Sequence, residues 1–344
     1  MIDIENLRNL PSPEKTDLSI VSIQYFIDRA EDNVQKELEE INLEDIIHKA
    51  LFLIPQNYSV GESRISQAGQ ILAAVSGTQL YIVKEYFNPI DTQSAKRTLA
   101  HEITHLLQSQ FKSPQLTTSD QRWAWISLIE GDADFTADTY ATRSGLFSYN
   151  LNSLESLDKI RSFPYTYGSN FISALYEKDG WNQINQAYIN PPRSTAEILH
   201  PELFLENVSI LNVNALIPNS NEWKVLLTET YGEHFIRVML ENGISNEEAI
   251  VAAAGWNGGN LSLFNKGESY LVTWSVNWAT LNDSSEYIES YANMIKNIGG
   301  KIVEPDLYYC NDHYVILSKK GTMTQIASST DKEIILSIMH LIMP

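Results

Sequence analysis

The segment LAHEITHLLQ, residues 99–108, limits what this chain can fold into more than any other. Leu99, Ile103, Leu106 and Leu107 recur at helical spacing, so the segment is predicted to be a packed helix. His101 and His105 stand four residues apart, about 40° round a helix of about 3.6 residues per turn, so both imidazoles reach the same point. Glu102 sits one step round, beside that point. Two imidazoles at the edge of a core are costly to bury without a partner. H-E-x-x-H on a helix supplies one: a metal ion held by both histidines, with the glutamate free to act as a base.

Zinc takes a third protein ligand and keeps a fourth position open. The extended H-E-x-x-H-x-x-G-x-x-H form is absent, because Gln108 and Phe111 occupy its last two defining positions, and so is H-x-x-E-H. The third ligand must therefore come from another element. WAWISLIEGDADF (123–135) supplies it: an apolar helix with Glu130, Asp132 and Asp134 in its middle. A turn and half a helix would bring Glu130 back against the histidines, and Gly131 and Ala133 remove bulk where two helices must approach. Asp134 lies one turn beyond Glu130 on the same face, placed to accept the N–H of a metal-bound imidazole. Asp132 and Asp138 are read as solvent-facing. His48, His234, His313 and His340 lack partners at ligand spacing and are read as ordinary.

Around these two helices the pattern is mixed. Residues 19–24 alternate weakly as a strand, and 26–51 are helical and acidic. Residues 70–87 read as two strands about Ser76-Gly77-Thr78, ended by Asn88-Pro89. Asp91 is the expected cap of the histidine helix, which runs to about Phe111. Asp120 is the expected cap of the next, which runs to about Arg143 with Gly145 as its stop. Helices follow near 168–177, 181–188 and 195–199, the last with Ser194 and Glu197 spaced as a capping box. Residues 222–254 read as helical in two or three pieces. GWNGGN (255–260) is read as a turn and marks a change of character. Beyond it come a strand (269–278), a helix (284–298), strands (301–305, 313–318 and 322–327) and a last helix (331–341). The expected fold is α+β: a mainly helical zincin-like domain with a small β-sheet over 1–260, then a small α+β domain over 261–344.

At 344 residues and 43% hydrophobic, the chain is long enough for two such units. Its formal net charge of -19, with no basic run, argues against a nucleic-acid partner. A single cysteine, Cys310, cannot form an internal disulfide and does not identify a compartment. No apolar run reaches the 18 or so residues of a membrane span, and the first residues show no charged-then-apolar leader pattern.

The chain resembles the gluzincins, thermolysin-like metalloproteases whose third ligand is a glutamate on a downstream helix, often followed four residues later by an aspartate that supports a zinc histidine. Glu130 and Asp134 match that pair. It is more closely similar to a set of poorly characterised secreted or surface metalloproteases sharing LAHELxHALQ, EGDA, PPxSTEQxLHPE and GWGGD. Here these read LAHEITHLLQ, EGDA (130–133), PPRSTAEILHPE (191–202) and GWNGGN. The departures are small: two inside the first motif, at Ile103 and Leu106, then Ala196-Glu197 and Asn260, none at a proposed ligand. The resemblance implies a zinc endopeptidase with a peptide or protein substrate and leans towards export.

The expected parts are His101, His105 and Glu130 as Zn2+ ligands, Glu102 as general base and Asp134 behind His101. His200, fixed by Pro201, is the first candidate to stabilise the oxyanion, followed by Tyr165 and Tyr167. In zincins a strand borders the cleft and pairs with substrate; Tyr81-Ile82-Val83 is the expected counterpart. Two other readings stay open: a zinc hydrolase of a non-peptide substrate, and a zinc-containing surface or binding protein without turnover. An intact Glu102 argues against the second.

Overall fold

A computed structural model describes residues 1–141, 155–218 and 222–342. The chain is mixed α and β. The first part runs α1 (Ile2–Arg8), β1 (Asp17–Val21), α2 (Ile23–Lys36), α3 (Leu38–Ala50), α4 (Val60–Ala68), β2 (Ala73–Ser76) and β3 (Gln79–Val83). The helices α5 (Thr92–Gln108), α6 (Ser119–Ala141) and α7 (Ser156–Ile189) follow, with the short α8 (Thr195–Leu199) and α9 (Pro201–Leu205). The second part holds β4 (Lys224–Glu229), α10 (Glu233–Leu240), α11 (Asn246–Ala253), β5 (Trp256–Lys266), β6 (Ser269–Trp278) and α12 (Leu281–Asn297). It ends with β7 (Lys301–Glu304), β8 (Leu307–Cys310), β9 (His313–Lys320), β10 (Met323–Ser329) and α13 (Lys332–Ile342).

Two sheets organise these elements. The small one has the order β1-β3-β2, with β1 parallel and β2 antiparallel to β3. The hairpin turns at Gly77, whose φ of 60° is the left-handed conformation that glycine adopts without steric cost. The large sheet is antiparallel throughout, in the order β4-β5-β6-β10-β9-β8-β7. Its strands alternate sides as a two-residue period requires. Trp274, Val276, Trp278, Val315, Leu317 and Ile326 enter one core with Tyr287, Tyr291 and Met294 of α12. Leu271, Ile316 and Ala327 point the other way, to Ile335 and Ile338 of α13. The first of these cores also takes in Ile47 and Leu51 to Ile54 from the α3 end, and Leu157 and Ile160 of α7.

Several boundaries differ from expectation. The stretch 222–254 begins with β4, the edge strand of the large sheet, before its two helices. GWNGGN is the start of β5, with a register shift between Trp256 and Gly259, so its glycines mark a bulge and not a turn. The strand β8 was hidden because it is only four residues long, between Asp306 and Asn311-Asp312, all at positive φ. The helix α7 starts earlier than expected and contains Pro164, with Ser162 and Thr166 hydroxyls on the Lys159 and Ser162 carbonyls around it. It breaks at Asp179-Gly180, as the two sequence segments suggest. Arg143 and Gly145, the expected end of the second helix, lie outside the described residues.

Candidate metal centre

The histidine helix starts as its sequence predicts. The Asp91 side chain accepts the Ser94 N–H at 3.2 Å, satisfying one of the free donors of α5. The next helix starts differently: Thr118 accepts the Gln121 N–H at 3.3 Å, and Asp120 is buried inside the first turn with both Thr195 donors on its Oδ1. From these starts α5 and α6 pack side by side, and α6 crosses α7 where Gly131 meets Gly168. A methyl group on Gly131 would overlap the Gly168 backbone. The crossing is therefore as close as two backbones allow, and Tyr165 of α7 comes to line the same cleft as His101 and Glu102 of α5.

His101, His105 and Glu130 converge. The two Nε2 atoms lie 3.0 Å apart, and Glu130 Oε2 lies 3.2 Å from His101 Nε2 and 3.4 Å from His105 Nε2. Among the described residues this is the one group of three or more such ligands close enough to hold a metal ion. Each imidazole is held from behind. His101 Nδ1 is 3.0 Å from Asp134 Oδ1, and His105 Nδ1 is 2.8 Å from Gln108 Oε1. Both partners are acceptors, so both Nδ1 atoms carry a proton, and each ring in its neutral form presents a bare Nε2 lone pair to the other. Glu130 Oε2 is buried without a hydrogen bond. Three acceptors thus face one another, and a cation is what such a group lacks. Metal–ligand bonds of about 2.0–2.1 Å in tetrahedral array place ligand atoms about 3.3–3.4 Å apart, close to the spacing here.

Without a cation the three groups compensate one another. Burial opposes charge on His101, yet the neighbouring Asp134 and Glu130 carboxylates hold its pKa well above the usual imidazole value. Burial likewise opposes charge on His105, and the Glu130 carboxylate raises it. Burial would raise the Glu130 carboxyl, but His105 and His101 hold it far below the carboxylate range. Glu102 is different: burial is the largest influence and pushes its pKa up, and its Oε2 has no hydrogen-bond partner.

A cleft opens beside these residues. It has two lobes, of about 460 and 670 Å³, and His101, Glu102, Tyr165, Ile71 and Ala73 line both. One lobe adds Arg64, Gln67 and Arg97; the other adds Phe111, Trp125, Ile129 and Tyr188. The strand beside the cleft is β2, an edge strand among the described residues, and not β3, which is paired on both sides. Tyr81-Ile82-Val83 are therefore not available for pairing with a substrate.

The structure does not bring His200 or Tyr167 into this cleft. His200 Nε2 sits 2.9 and 3.1 Å from the two Glu233 oxygens, and that bond raises its pKa. It follows α8, which is tied to Asp120 at the start of α6, and ten residues or about 15 Å of helix separate Asp120 from Glu130. Tyr167 packs on Phe163 and His234. It stands two residues from Tyr165, about 200° round the helix, so the two cannot face the same way. Asp132 and Asp138 are not solvent-facing either. Asp132 is fully buried, bonded by Arg8, Tyr188 and Gln108. Asp138 Oδ1 accepts from Arg97 Nε at 2.6 Å, and Arg97 Nη2 also bonds Asp134, at 2.9 Å. Sequence spacing alone missed Gln108, although a glutamine three residues after His105 is one helical turn away.

The family described as a domain of unknown function (DUF8575) matches residues 224–336, from β4 into α13, a stretch that does not include the metal centre. No curated protein and no solved structure matches the chain.

Proposed function

We propose that the chain is a zinc-dependent endopeptidase of the gluzincin type. The observation that carries this reading is the convergence of three acceptors, His101 Nε2, His105 Nε2 and Glu130 Oε2, with no donor among them. Their chemistry, two neutral imidazoles and a carboxylate, suits zinc in a site with an open position. When bound, zinc would supply a Lewis acid and a water made acidic enough to react near neutral pH.

The residues around it divide the remaining work. Asp134 and Gln108 hold each imidazole in the one tautomer that can bind a metal. Glu102, buried beside the site with an unpartnered oxygen, takes a proton from the attacking water and returns it to the leaving amine. Tyr165, which lines both lobes, replaces His200 and Tyr167 as the group that would donate to the carbonyl oxygen as charge develops there. The edge of β2, unpaired among the described residues, supports a peptide over a non-peptide substrate, because an extended chain can pair with it and send alternate side chains into the lobes.

The test is Glu102→Gln beside wild type, with zinc content and peptide cleavage measured on both. The variant should keep its zinc and lose cleavage by about 10²–10⁴-fold. Full activity in the variant would rule out Glu102 as the base. A wild-type protein that takes up no zinc would sink the reading as a whole.

A further inference from the structure

Arg8 is fully buried, on a seven-residue helix at the start of the described chain. Its Nε and Nη2 donate to the two oxygens of Asp132 at 2.8 and 3.1 Å, and its guanidinium lies 4.5 Å over the Trp181 ring. Its Nη1 is buried with no acceptor. A buried ion pair with an orphaned donor is a weak way to stabilise a fold, since desolvation offsets most of the attraction. What the pair does point at is the metal centre. Asp132 Oδ2 accepts Gln108 Nε2 at 3.3 Å, the same Nε2 donates to the Ile129 carbonyl at 2.9 Å, and Gln108 Oε1 faces His105 Nδ1.

The relay has one polarity. A carboxylate and a carbonyl only accept, so the amide nitrogen of Gln108 must face them and its oxygen must face His105. That oxygen only accepts, so His105 must carry its proton on Nδ1 and present a bare Nε2. If the Gln108 amide turned over, its nitrogen would face Nδ1. The ring would then carry its proton on Nε2, where it blocks a metal bond. The bidentate fork of Arg8 fixes the plane of the Asp132 carboxylate on which this sequence depends.

We propose that Arg8 is a positioning residue for the metal centre: docked on Asp132, it fixes the Gln108 amide and, through it, the metal-binding tautomer of His105. This rests on the metal-centre reading above. It makes seating of α1, whose Ile4 packs with Ala100, Leu107 and Ala137 of the two metal helices, a condition for tight metal binding.

The experiment is a double-mutant cycle on the full chain: wild type, Arg8→Met, Gln108→Leu and the double variant. Zinc affinity is measured by competition with a chromophoric chelator, and the melting temperature of the metal-free protein alongside it. Arg8→Met should weaken zinc binding about ten-fold in the wild-type background and less than about two-fold once Gln108 is gone. Its effect on melting temperature should be the same in both backgrounds. An equal loss of affinity in both, or none in either, overturns the proposal, because Arg8 would then not act through Gln108. Arg8→Lys keeps the charge and loses the fork, and should fold and weaken zinc binding several-fold. Imidazole nitrogen-15 spectra of metal-free protein, at a pH where the rings are neutral, separate this inference from the proposed function. They should show His105 protonated on Nδ1 in wild type and partly on Nε2 in Arg8→Met. Identical spectra overturn the proposal, whatever the chain does with zinc.

Discussion

At the scale of single residues, the groups whose placement follows from local spacing were legible and those with distant partners were not. His101, Glu102 and His105 follow from helical geometry. Glu130 and Asp134 follow from the need of two imidazoles for a third ligand and a support. Asp132 and Asp138 read as solvated because Arg8 and Arg97 lie 124 and 41 positions away, and nothing local announces either pair. Asp120 is a case where the residue type misleads. A helix-starting aspartate resembles a cap, yet here it is buried and its pKa is pushed up to about 7, first by burial and then by Glu233 and Glu197 against the Thr195 bonds. In the unfolded chain it titrates near 3.9. The folded state therefore binds its proton more tightly. The stability this contributes is present below about pH 4 and is lost as pH rises through about 7. Asp120→Asn should accordingly raise the melting temperature more at pH 8 than at pH 5. A difference independent of pH would show that the group does not titrate in this range.

At the scale of elements, the contact between α6 and α7 decides whether the site exists. Alanine in place of glycine inside a helix is normally worth up to about 1 kcal/mol in its favour. At Gly131 the added methyl meets backbone, which cannot rotate away, and overpacking of this kind costs about 1–3 kcal/mol. Gly131→Ala is expected to destabilise the chain on balance. It should also weaken metal binding, because Glu130 is the adjacent residue and Tyr165 lies three positions before Gly168. Thermal unfolding and zinc affinity measured together check this; a stabilised variant with unchanged affinity would mean that the helices part without moving the site. The sequence carried the small residues of this crossing but not its partner, since Gly168 is just one more glycine until α7 is in place. The strand β4 and the bulged start of β5 were lost for a related reason: each depends on a strand partner that no local pattern reveals.

For the molecule as a whole, the mixture of α and β was readable from periodicity, while the way the helical and sheet regions share a core was not. Residues from α3 and α7 share one core with the large sheet, so the helical and sheet regions are packed as neighbours over an apolar surface. No helix among the described residues is long and apolar enough to cross a membrane. A metal ion that binds the folded chain alone adds stability in proportion to the logarithm of its saturation. Free zinc at about a thousand times its dissociation constant adds about 4 kcal/mol. Chelation should then lower the melting temperature by on the order of 10 °C, measured with and without chelator at fixed protein concentration. An unchanged melting temperature would mean that α5 and α6 are not joined through a metal.

The Arg8–Asp132 pair also has a consequence in time. At about 5–20 residues per second of synthesis, the 124 positions between them take roughly 6–25 s to be made. A helix of seven residues does not persist alone in water over such an interval. The guanidinium waits on a nascent, unstructured segment while the histidines and then their glutamate leave the ribosome. The ligands are thus all available before Tyr188, which completes the shell around Asp132, has been added. On the proposed reading, a cation arriving early would meet a His105 whose Gln108 partner is not yet fixed by a completed Asp132 shell, so the order of synthesis would favour loading of the finished fold over loading of the growing chain.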